Sequence, residues 1–450
     1  MFQNPKFKYA ATAILTSAIS LPVLAQQTQT VVTPQQAQTP PPQHAADSAL
    51  VESMGEKGLE ISFPPFSNSV TGATNPVRVA MARHGFGIFV PESNKFQQNV
   101  LDAPVALADQ KYNGQRATWA VGAYPVLTYN MQAFHIRGGQ LIMGPGVLRT
   151  SWYPSGPEAT RALQLAYYQS LFKNRIEVKF GWLQNDLEFE AFAVGGTFAT
   201  GALGVYAVIP YQVGQNTTPY GTPGVNTTVH LTKHFYDKIG FQRSADPNGG
   251  ATEVKRDQTG FRFAPHGDGL LTINEFGYKK NSSATDKQTW FRAGYLTNTT
   301  GFKNIISNKT ETGNWATYAL VDQQFTHSTA GTGRQGLYGG VTFMYAPPRY
   351  DSSTQYYEAR LYDIGLFPHR PNDLSSVVLS HTSFSPDFNR VTTNANGTAY
   401  SGSNSVAATY SARLRPGITF APGFSYTDHP ARTPRLGGAF NVVGSLIFFF

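Results

Sequence analysis

From about residue 57 onward, short segments with one apolar and one mixed face alternate with polar stretches rich in Gly, Asn, Thr and Pro. The segments "TWFRAGYLT" (289–297) and "GLYGGVTFMYA" (336–346) are typical. Side chains of a strand alternate between its faces, and most of these segments suit a tilted membrane-spanning strand of about 9–11 residues. We predict an all-β fold, an antiparallel transmembrane β-barrel of about 16 strands within a range of about 14–18. The predicted strands are 77–83, 118–124, 126–136, 163–172, 175–183, 225–232, 270–280, 289–297, 315–325, 336–346, 355–367, 375–384, 405–414, 417–427 and 441–450, with weaker candidates near 58–63, 203–210 and 235–243.

The C-terminal segment "NVVGSLIFFF" shows the two-faced pattern most clearly. Its even-numbered positions from Phe440 to Phe450 are all apolar or glycine, whereas Asn441 and Ser445 lie at odd-numbered positions. This asymmetry is typical of a strand between lipid and a wetter interior. We predict that it closes the barrel against the first strand, with its even-numbered face toward lipid. A terminal aromatic residue resembles the signature read by the barrel-assembly machinery, so Phe450 is the expected contact.

Composition supports a membrane barrel over soluble domains. Charged residues make up 14% of the chain and aromatic residues 13%, whereas a typical soluble domain is about 25% charged. Beyond the N-terminal segment, no stretch approaches the roughly 20 apolar residues of a membrane helix. Because lipid offers no hydrogen bonds to the backbone, a non-helical span must be a closed barrel. The chain has no cysteine, so the fold must be held without disulfides.

The N-terminal region divides into two parts before the barrel. Residues 1–25 have a basic start, with Lys6 and Lys8, and then an apolar run. This pattern predicts a secretory signal peptide cleaved near Ala25, the alternative being a single membrane anchor. Residues 26–48 are rich in Gln, Pro and Thr and predict a flexible periplasmic lead. We assign residues 49–450 to the barrel and expect a bacterial outer-membrane location.

Charged residues within predicted strands are the first candidates for the lumen. Arg292 shares a face with Trp290, and Glu358 shares a face with Arg360. An Arg or Lys facing lipid costs about 2–4 kcal/mol at the bilayer midplane, so these side chains should point inward. The candidate pore-lining residues on strands are Glu275, Arg292, Asp322, Glu358 and Arg360.

An inward-folded loop commonly narrows a large barrel, and we predict one at 137–160. This stretch is rich in Gly and Pro, and its candidate pore-lining residues are Arg137, Arg149 and Trp152. The alternative is an ordinary outer loop. The polar stretches 244–260, 298–314 and 385–404 are expected to be outward connections.

The second half of the chain resembles the carbohydrate-selective outer-membrane porins of the OprB type. The resemblance rests on the order of several segments: "LLTINEFGYKK", "TWFRAGYLTNTTGF", "NWATYALVDQQF", "RQGLYGGVTFMYAP" and "DIGLFPHRPNDLSSVVLSHTSFSP". In the last of these, Gly365, Leu366, Pro368, Arg370 and Asp373 match the family's hairpin pattern. The match is good over 265–450 and weaker over 50–200. Residues 421–426 depart from the family's penultimate strand, and an acidic residue expected near 403–406 is absent. Both departures remove polar groups expected at the pore or its rim.

The resemblance implies passive diffusion of small sugars, mono- or disaccharides, without a cofactor or catalytic residue. A neutral sugar needs hydrogen-bonding side chains of mixed charge together with aromatic faces, whereas a ring of one charge sign selects ions. Arg370 and Asp373 are therefore further pore-lining candidates, with a turn-stabilising ion pair as the alternative. Outer-membrane lipid is an expected partner. A homotrimer is the oligomer to test, because porin trimers are common.

Other functions stay open at this point. A general or other-substrate-specific diffusion porin would share the architecture, and a barrel enzyme such as a lipid hydrolase or a structural barrel would be a different class. His230 and His234 share a strand face four residues apart. A zinc site would need a third ligand, so we favour an ordinary histidine pair in the lumen or a loop. The formal charge of +8 comes from scattered basic residues, so the sequence does not favour nucleic-acid binding.

Overall fold

The computed structural model describes residues 42–152, 156–191, 194, 209–327, 333–396, 399–432 and 436–450. The signal peptide and most of the predicted lead lie outside these residues. Within the described ranges, none of the helices has the length and apolar character needed to cross a membrane.

Strands dominate the described residues, and five α-helices accompany them. The helices are α1 (Pro42–Glu52), α2 (Pro76–Arg83), α3 (Ile209–Gln212), α4 (Gly250–Arg256) and α5 (Pro386–Asn396). The strands are β1 (Phe86–Phe89), β2 (Pro91–Asn99), β3 (Thr118–Ala123), β4 (Val126–Asn130), β5 (Gly139–Thr150), β6 (Ala159–Leu171), β7 (Ile176–Leu183), β8 (Thr222–His230), β9 (Phe235–Arg243), β10 (Leu270–Lys280), β11 (Thr289–Lys303), β12 (Thr310–Gln324), β13 (Gly336–Tyr345), β14 (Ser353–Ile364), β15 (Leu374–Phe384), β16 (Gly402–Arg415), β17 (Ile418–Thr427) and β18 (Ala439–Phe449).

These segments form a closed antiparallel barrel of 16 strands. Four of the segments make only two barrel strands, because β1 continues into β2 and β3 continues into β4. β1 pairs with β4 and β2 with β3, so together they form one long hairpin. Pro91 and Pro125 stand at the two breaks, where the missing N–H interrupts the ladder. Sixteen strands is the number that we predicted.

The barrel closes where β18 pairs with β2, in a register that runs from Asn441 opposite Asn99 to Phe449 opposite Pro91. Val442 is exposed on the outer face, whereas Asn441 and Ser445 are buried on the inner face. The prediction for the terminal strand is confirmed in both respects, its closure against the first strand and its lipid-facing even positions.

The outer surface of the barrel is apolar along its height. Outward side chains on successive strands include Phe276, Phe291, Trp315, Phe343 and Leu379, all exposed to the surroundings of the barrel. Rings on neighbouring strands contact one another, as Tyr295 and Trp315 do with centroids 5.8 Å apart. A protein in water would not leave so large an apolar surface exposed, but lipid covers it without cost.

The two ends of the barrel differ. One end carries short turns, such as 172–175 and 416–417, together with the start of β1 and the C-terminus. The other carries the longer connections 100–117, 184–221 and 244–269. In bacterial outer-membrane barrels the short turns are periplasmic and the long loops extracellular, so the end with the C-terminus is the periplasmic end.

Several strand and loop predictions were wrong. Residues 77–83 belong to helix α2, because Pro76 occupies its first turn and Asn75 caps it, accepting from Val77 N at 3.0 Å. Residues 58–63 are irregular, and 42–48 form part of α1, so the barrel strands begin at Phe86. The expected loop 298–314 is mostly strand, since β11 and β12 leave only 304–309 as the turn. Most of the weak candidate 203–210 lies outside the described residues.

Candidate functional site in the barrel lumen

The connection between β7 and β8, residues 184–221, is the loop that enters the lumen. Phe189 is fully buried and packs in a group with Leu271, Ile273 and Tyr318 of the barrel wall. Val194 packs further round the barrel, against Tyr338 and Tyr362. The prediction of an inward loop at 137–160 was wrong, because most of that stretch forms β5 and its hairpin with β6.

A second inward segment comes from the N-terminal side of the barrel. Residues 53–70 leave α1, cross the lumen and return to the periplasmic end, and we call them the pore strap. Glu60 N donates to Leu187 O at 3.1 Å, which joins the strap to the inward loop. Phe66 packs against Phe89 and Phe449 near the periplasmic end, with ring centroids 5.8 and 6.5 Å from its own.

Five candidate residues from the sequence lie on inward-facing positions of β10, β11, β12 and β14. Arg360 makes a two-pronged contact with Asp322, at 2.9 Å from Nε and 2.8 Å from Nη2, and also pairs with Glu358 at 2.8 Å. Arg292 lies 3.8 Å from Asp322 and 3.2 Å from Glu60 of the pore strap. The structure therefore joins four of them, Arg292, Asp322, Glu358 and Arg360, in one ion-pair network.

Glu275, the fifth candidate, is held by two tyrosines. The hydroxyls of Tyr236 and Tyr318 each donate to its carboxylate at 2.8 Å. The rings can reach it because Gly277 and Gly294 lie beneath them, where a Cβ atom would overlap the tyrosine side chains. Tyr236 also accepts from Trp290 Nε1 at 3.2 Å.

Three lysines complete the inner wall and were missed from the sequence. Lys179 contacts Glu56 of the strap at 3.1 Å and Glu188 of the inward loop at 2.8 Å. Lys238 Nζ donates to Glu188 O at 2.5 Å, and Lys279 Nζ donates to Glu60 O at 2.6 Å. The alternation that identified Arg292 also places these lysines on inward positions, so the sequence carried a usable signal. No such rule applies to Glu56 or Glu60, which lie in an irregular segment.

The charge states of the inward segments follow from burial and neighbouring charges. Burial would raise the pKa of Glu60, but Arg292 and Lys238 outweigh it and hold that pKa at about 2. Burial raises the pKa of Asp186 to about 6, although the hydroxyls of Thr217 and Tyr211 donate to its carboxylate at 2.6 and 3.3 Å. Glu60 is therefore ionised at neutral pH, and its ion pair with Arg292 persists.

The candidates from the predicted loop 137–160 lie away from this network. Arg137 is exposed in the short turn before β5. Arg149 is exposed on the outer face of β5 and donates to Ala159 O at 2.9 Å and to Thr160 Oγ1 at 3.0 Å. Trp152 lies in the connection between β5 and β6, where its backbone N–H donates to Thr150 Oγ1 at 3.2 Å. Their expected place on an inward loop was wrong.

Arg370 and Asp373 lie in the short turn between β14 and β15. Arg370 Nε donates to Asp373 Oδ2 at 2.6 Å, and the Tyr410 hydroxyl donates to the same oxygen. Arg413 N donates to Asp373 Oδ1 at 2.9 Å. This geometry favours the turn-stabilising ion pair that the sequence left as an alternative.

The two histidines of "HLTKH" take separate partners. His230 Nε2 lies 3.0 Å from Glu177 Oε1, whereas His234 Nδ1 lies 3.2 Å from Lys279 O. No group of three His, Cys, Asp or Glu side chains suited to a metal occurs in the part of the chain that the structure describes.

The inner wall from β7 to β14 thus combines charges of both signs with tyrosine and tryptophan side chains. Most of these charges are paired with one another or with the strap and inward loop, so no single sign dominates the wall. Such a wall discriminates weakly among ions and offers hydrogen-bonding groups beside aromatic faces. The fold and this lumen define the chain as a porin-type diffusion channel.

Comparison with known proteins agrees with this class. The model of the carbohydrate-selective porin, OprB family, matches residues 80–445, and the chain belongs to that family. A high-pH structure of OprB from Pseudomonas putida superposes with a TM-score of 0.71 at 13% identity, covering 85% of this chain and 98% of that one. A low-pH structure of the same protein gives a TM-score of 0.53 at 13% identity, covering 85% and 99%. At this identity the structures show the shared fold. A search among curated protein sequences found no match.

Proposed function

We propose that this porin lets small sugars, mono- or disaccharides, diffuse passively through its lumen. The observation that carries the proposal is the lumen described above, whose buried charges of both signs are paired with one another and therefore present no ring of one sign to a solute. Family membership over residues 80–445 supports the same class of solute.

We propose a specific role for the network of Glu275, Arg292, Asp322, Glu358 and Arg360. Each of these side chains is at least 95% buried. They therefore position the strap and the inward loop and balance the charges of these two segments. The sugar then meets the surface that these elements present.

The cellular setting belongs to the same proposal. Residues 1–25 direct export and are removed near Ala25, and the barrel resides in the bacterial outer membrane with lipid around its apolar face. The assembly machinery binds the C-terminal strand through Phe450. Assembly as a homotrimer would be tested by the mass of the purified detergent complex.

The test is single-channel conductance of the refolded, signal-free protein in planar bilayers, titrated with glucose. We expect a modest conductance that glucose blocks saturably. Arg292→Gln should shift the half-blocking glucose concentration, because it alters the charge that holds the strap. Arg149→Gln, on the outer face, serves as the matched control and should leave the titration unchanged.

A large conductance that glucose does not affect would contradict the sugar claim and favour a general diffusion porin. A protein that conducts nothing would favour the enzyme or structural alternatives.

A further inference from the structure

The pore strap crosses the lumen from wall to wall. On one side, Thr128 of β4 donates to Met54 O at 2.6 Å, and Lys179 of β7 pairs with Glu56. On another side, Glu60 meets Arg292 of β11. A segment lying along one wall would contact neighbouring strands only, so these contacts indicate that the strap spans the interior.

The return of the strap reaches a third part of the barrel. Arg413 of β16 donates to Asn68 Oδ1 at 2.7 Å, and Val70 N donates to Phe449 O of β18 at 2.8 Å. These strands lie close to the closing seam, far round the barrel from β10 and β11. The strap is therefore tied to three separate arcs of the wall.

We propose that the pore strap sets the size limit of this porin by occupying part of the conduction path. The proposal rests on the proposed function for the identity of the solute. That the strap obstructs the lumen is inferred from its contacts with the wall alone. The family model matches residues 80–445, so the strap precedes the matched region.

Besides these hydrogen bonds, two groups of strap side chains hold it in place and are accessible to mutation. Glu56 and Glu60 provide charge contacts, whereas Phe63 and Phe66 provide apolar ones, Phe63 lying 5.2 Å from Phe89 and 6.0 Å from Tyr124 between ring centroids. Between these anchors, Ser62 is exposed. A group attached at Ser62 would therefore add bulk to the exposed surface of the strap.

The first test labels the strap chemically. Because the chain has no cysteine, Ser62→Cys introduces a unique thiol, and a bulky methanethiosulfonate reagent is added during single-channel recording. We expect modification to lower the conductance by roughly twofold, since conduction depends on pore diameter. Ser307→Cys, in the exposed turn between β11 and β12, is the control and should show no change on labelling.

The second test loosens the strap. Glu56→Gln together with Glu60→Gln removes both carboxylate charges that face Lys179 and Arg292, and we expect a conductance increase of roughly twofold or more with entry of a trisaccharide in liposome swelling. Asp47→Asn, which disrupts only the partly exposed pair with Arg83, should behave as the unmodified protein. If the double variant fails to fold, the Ser62→Cys recording still tests whether the strap lies in the conduction path.

Labelled Ser62→Cys with unchanged conductance would overturn the proposal, as would a folded double variant with unaltered size limit. These readouts use salt current and solute size, whereas the proposed function depends on block by glucose. If glucose does not block the channel but the strap variants still change the conductance, sugar selectivity is contradicted and the size limit set by the strap is supported.

Discussion

At the scale of the residue, the alternation of strand positions decides which side chains enter the lumen. Glu358 and Arg360 share the inner face of β14, whereas Tyr357 and Leu361 lie on the outer face. This much follows from a period of two and from the cost of a charge in lipid. The partners do not follow, because Asp322 reaches Arg360 across an intervening strand, β13.

Arg360 should be a point of high sensitivity for stability. Arg360→Ala leaves Asp322 and Glu358 buried without their shared cation, and we expect a loss of about 3–5 kcal/mol in the free energy of unfolding. The measurement is urea unfolding of the detergent-refolded barrel, followed by tryptophan fluorescence. Arg349→Ala removes an exposed partner of Glu311 and should leave the unfolding midpoint unchanged, since exposed pairs contribute little. Equal effects of the two substitutions would contradict a structural role for the buried network.

At the scale of the element, hydrophobic pattern alone does not separate an amphipathic strand from a short helix. The stretch "VRVAMAR" alternates as a strand would, yet Asn75 and Pro76 start a helix there. The longer segments of the second half are less ambiguous, because ten or more alternating residues exceed what a short helix can mimic. For this reason β10 and β13 to β18 correspond closely to their predictions, whereas β11 and β12 extend into the predicted loop 298–314.

The outer face of an element can be tested directly. Leu379 is 55% exposed in the middle of β15, and Leu414 is 57% exposed near the periplasmic end of β16. We expect Leu379→Arg to destabilise the barrel by about 2–4 kcal/mol, and Leu414→Arg by about 0–1 kcal/mol, because the cost of Arg falls toward the interface. Reversible unfolding in lipid vesicles measures both. Similar costs at the two sites would indicate that Leu379 does not face the bilayer interior.

At the scale of the whole molecule, closure of the barrel satisfies the backbone and leaves no free sheet edge. The first and last strands come from the two ends of the barrel region, and Val443 lies opposite Gln97 across their seam. The chain has no cysteine, so hydrogen bonding and packing alone hold this seam.

The register between β2 and β18 can be tested with a double cysteine variant. Cα atoms of directly opposed residues in antiparallel strands lie about 4.5–5.5 Å apart, within the range that a disulfide spans. Gln97→Cys with Val443→Cys should therefore form an intramolecular disulfide on oxidation, seen as a mobility shift on electrophoresis that reductant reverses. Ser93→Cys with Val443→Cys is the control and should stay reduced, because Ser93 lies opposite Ile447. A bond in the control pair, or none in the opposed pair, would refute this register.

The sequence by itself determined the barrel, its approximate strand number, the lipid-facing side of many of its strands and the inward direction of Arg292, Glu358 and Arg360. These depend on local alternation and on the energetic cost of placing charge in lipid, which act on each strand separately. Only the tertiary structure decided that 184–221 is the inward loop, that residues 53–70 cross the lumen, and which charges pair there. Those features bring together residues more than a hundred positions apart, such as Glu60 and Arg292. The periodicity of a single strand does not specify contacts between residues so far apart in the sequence.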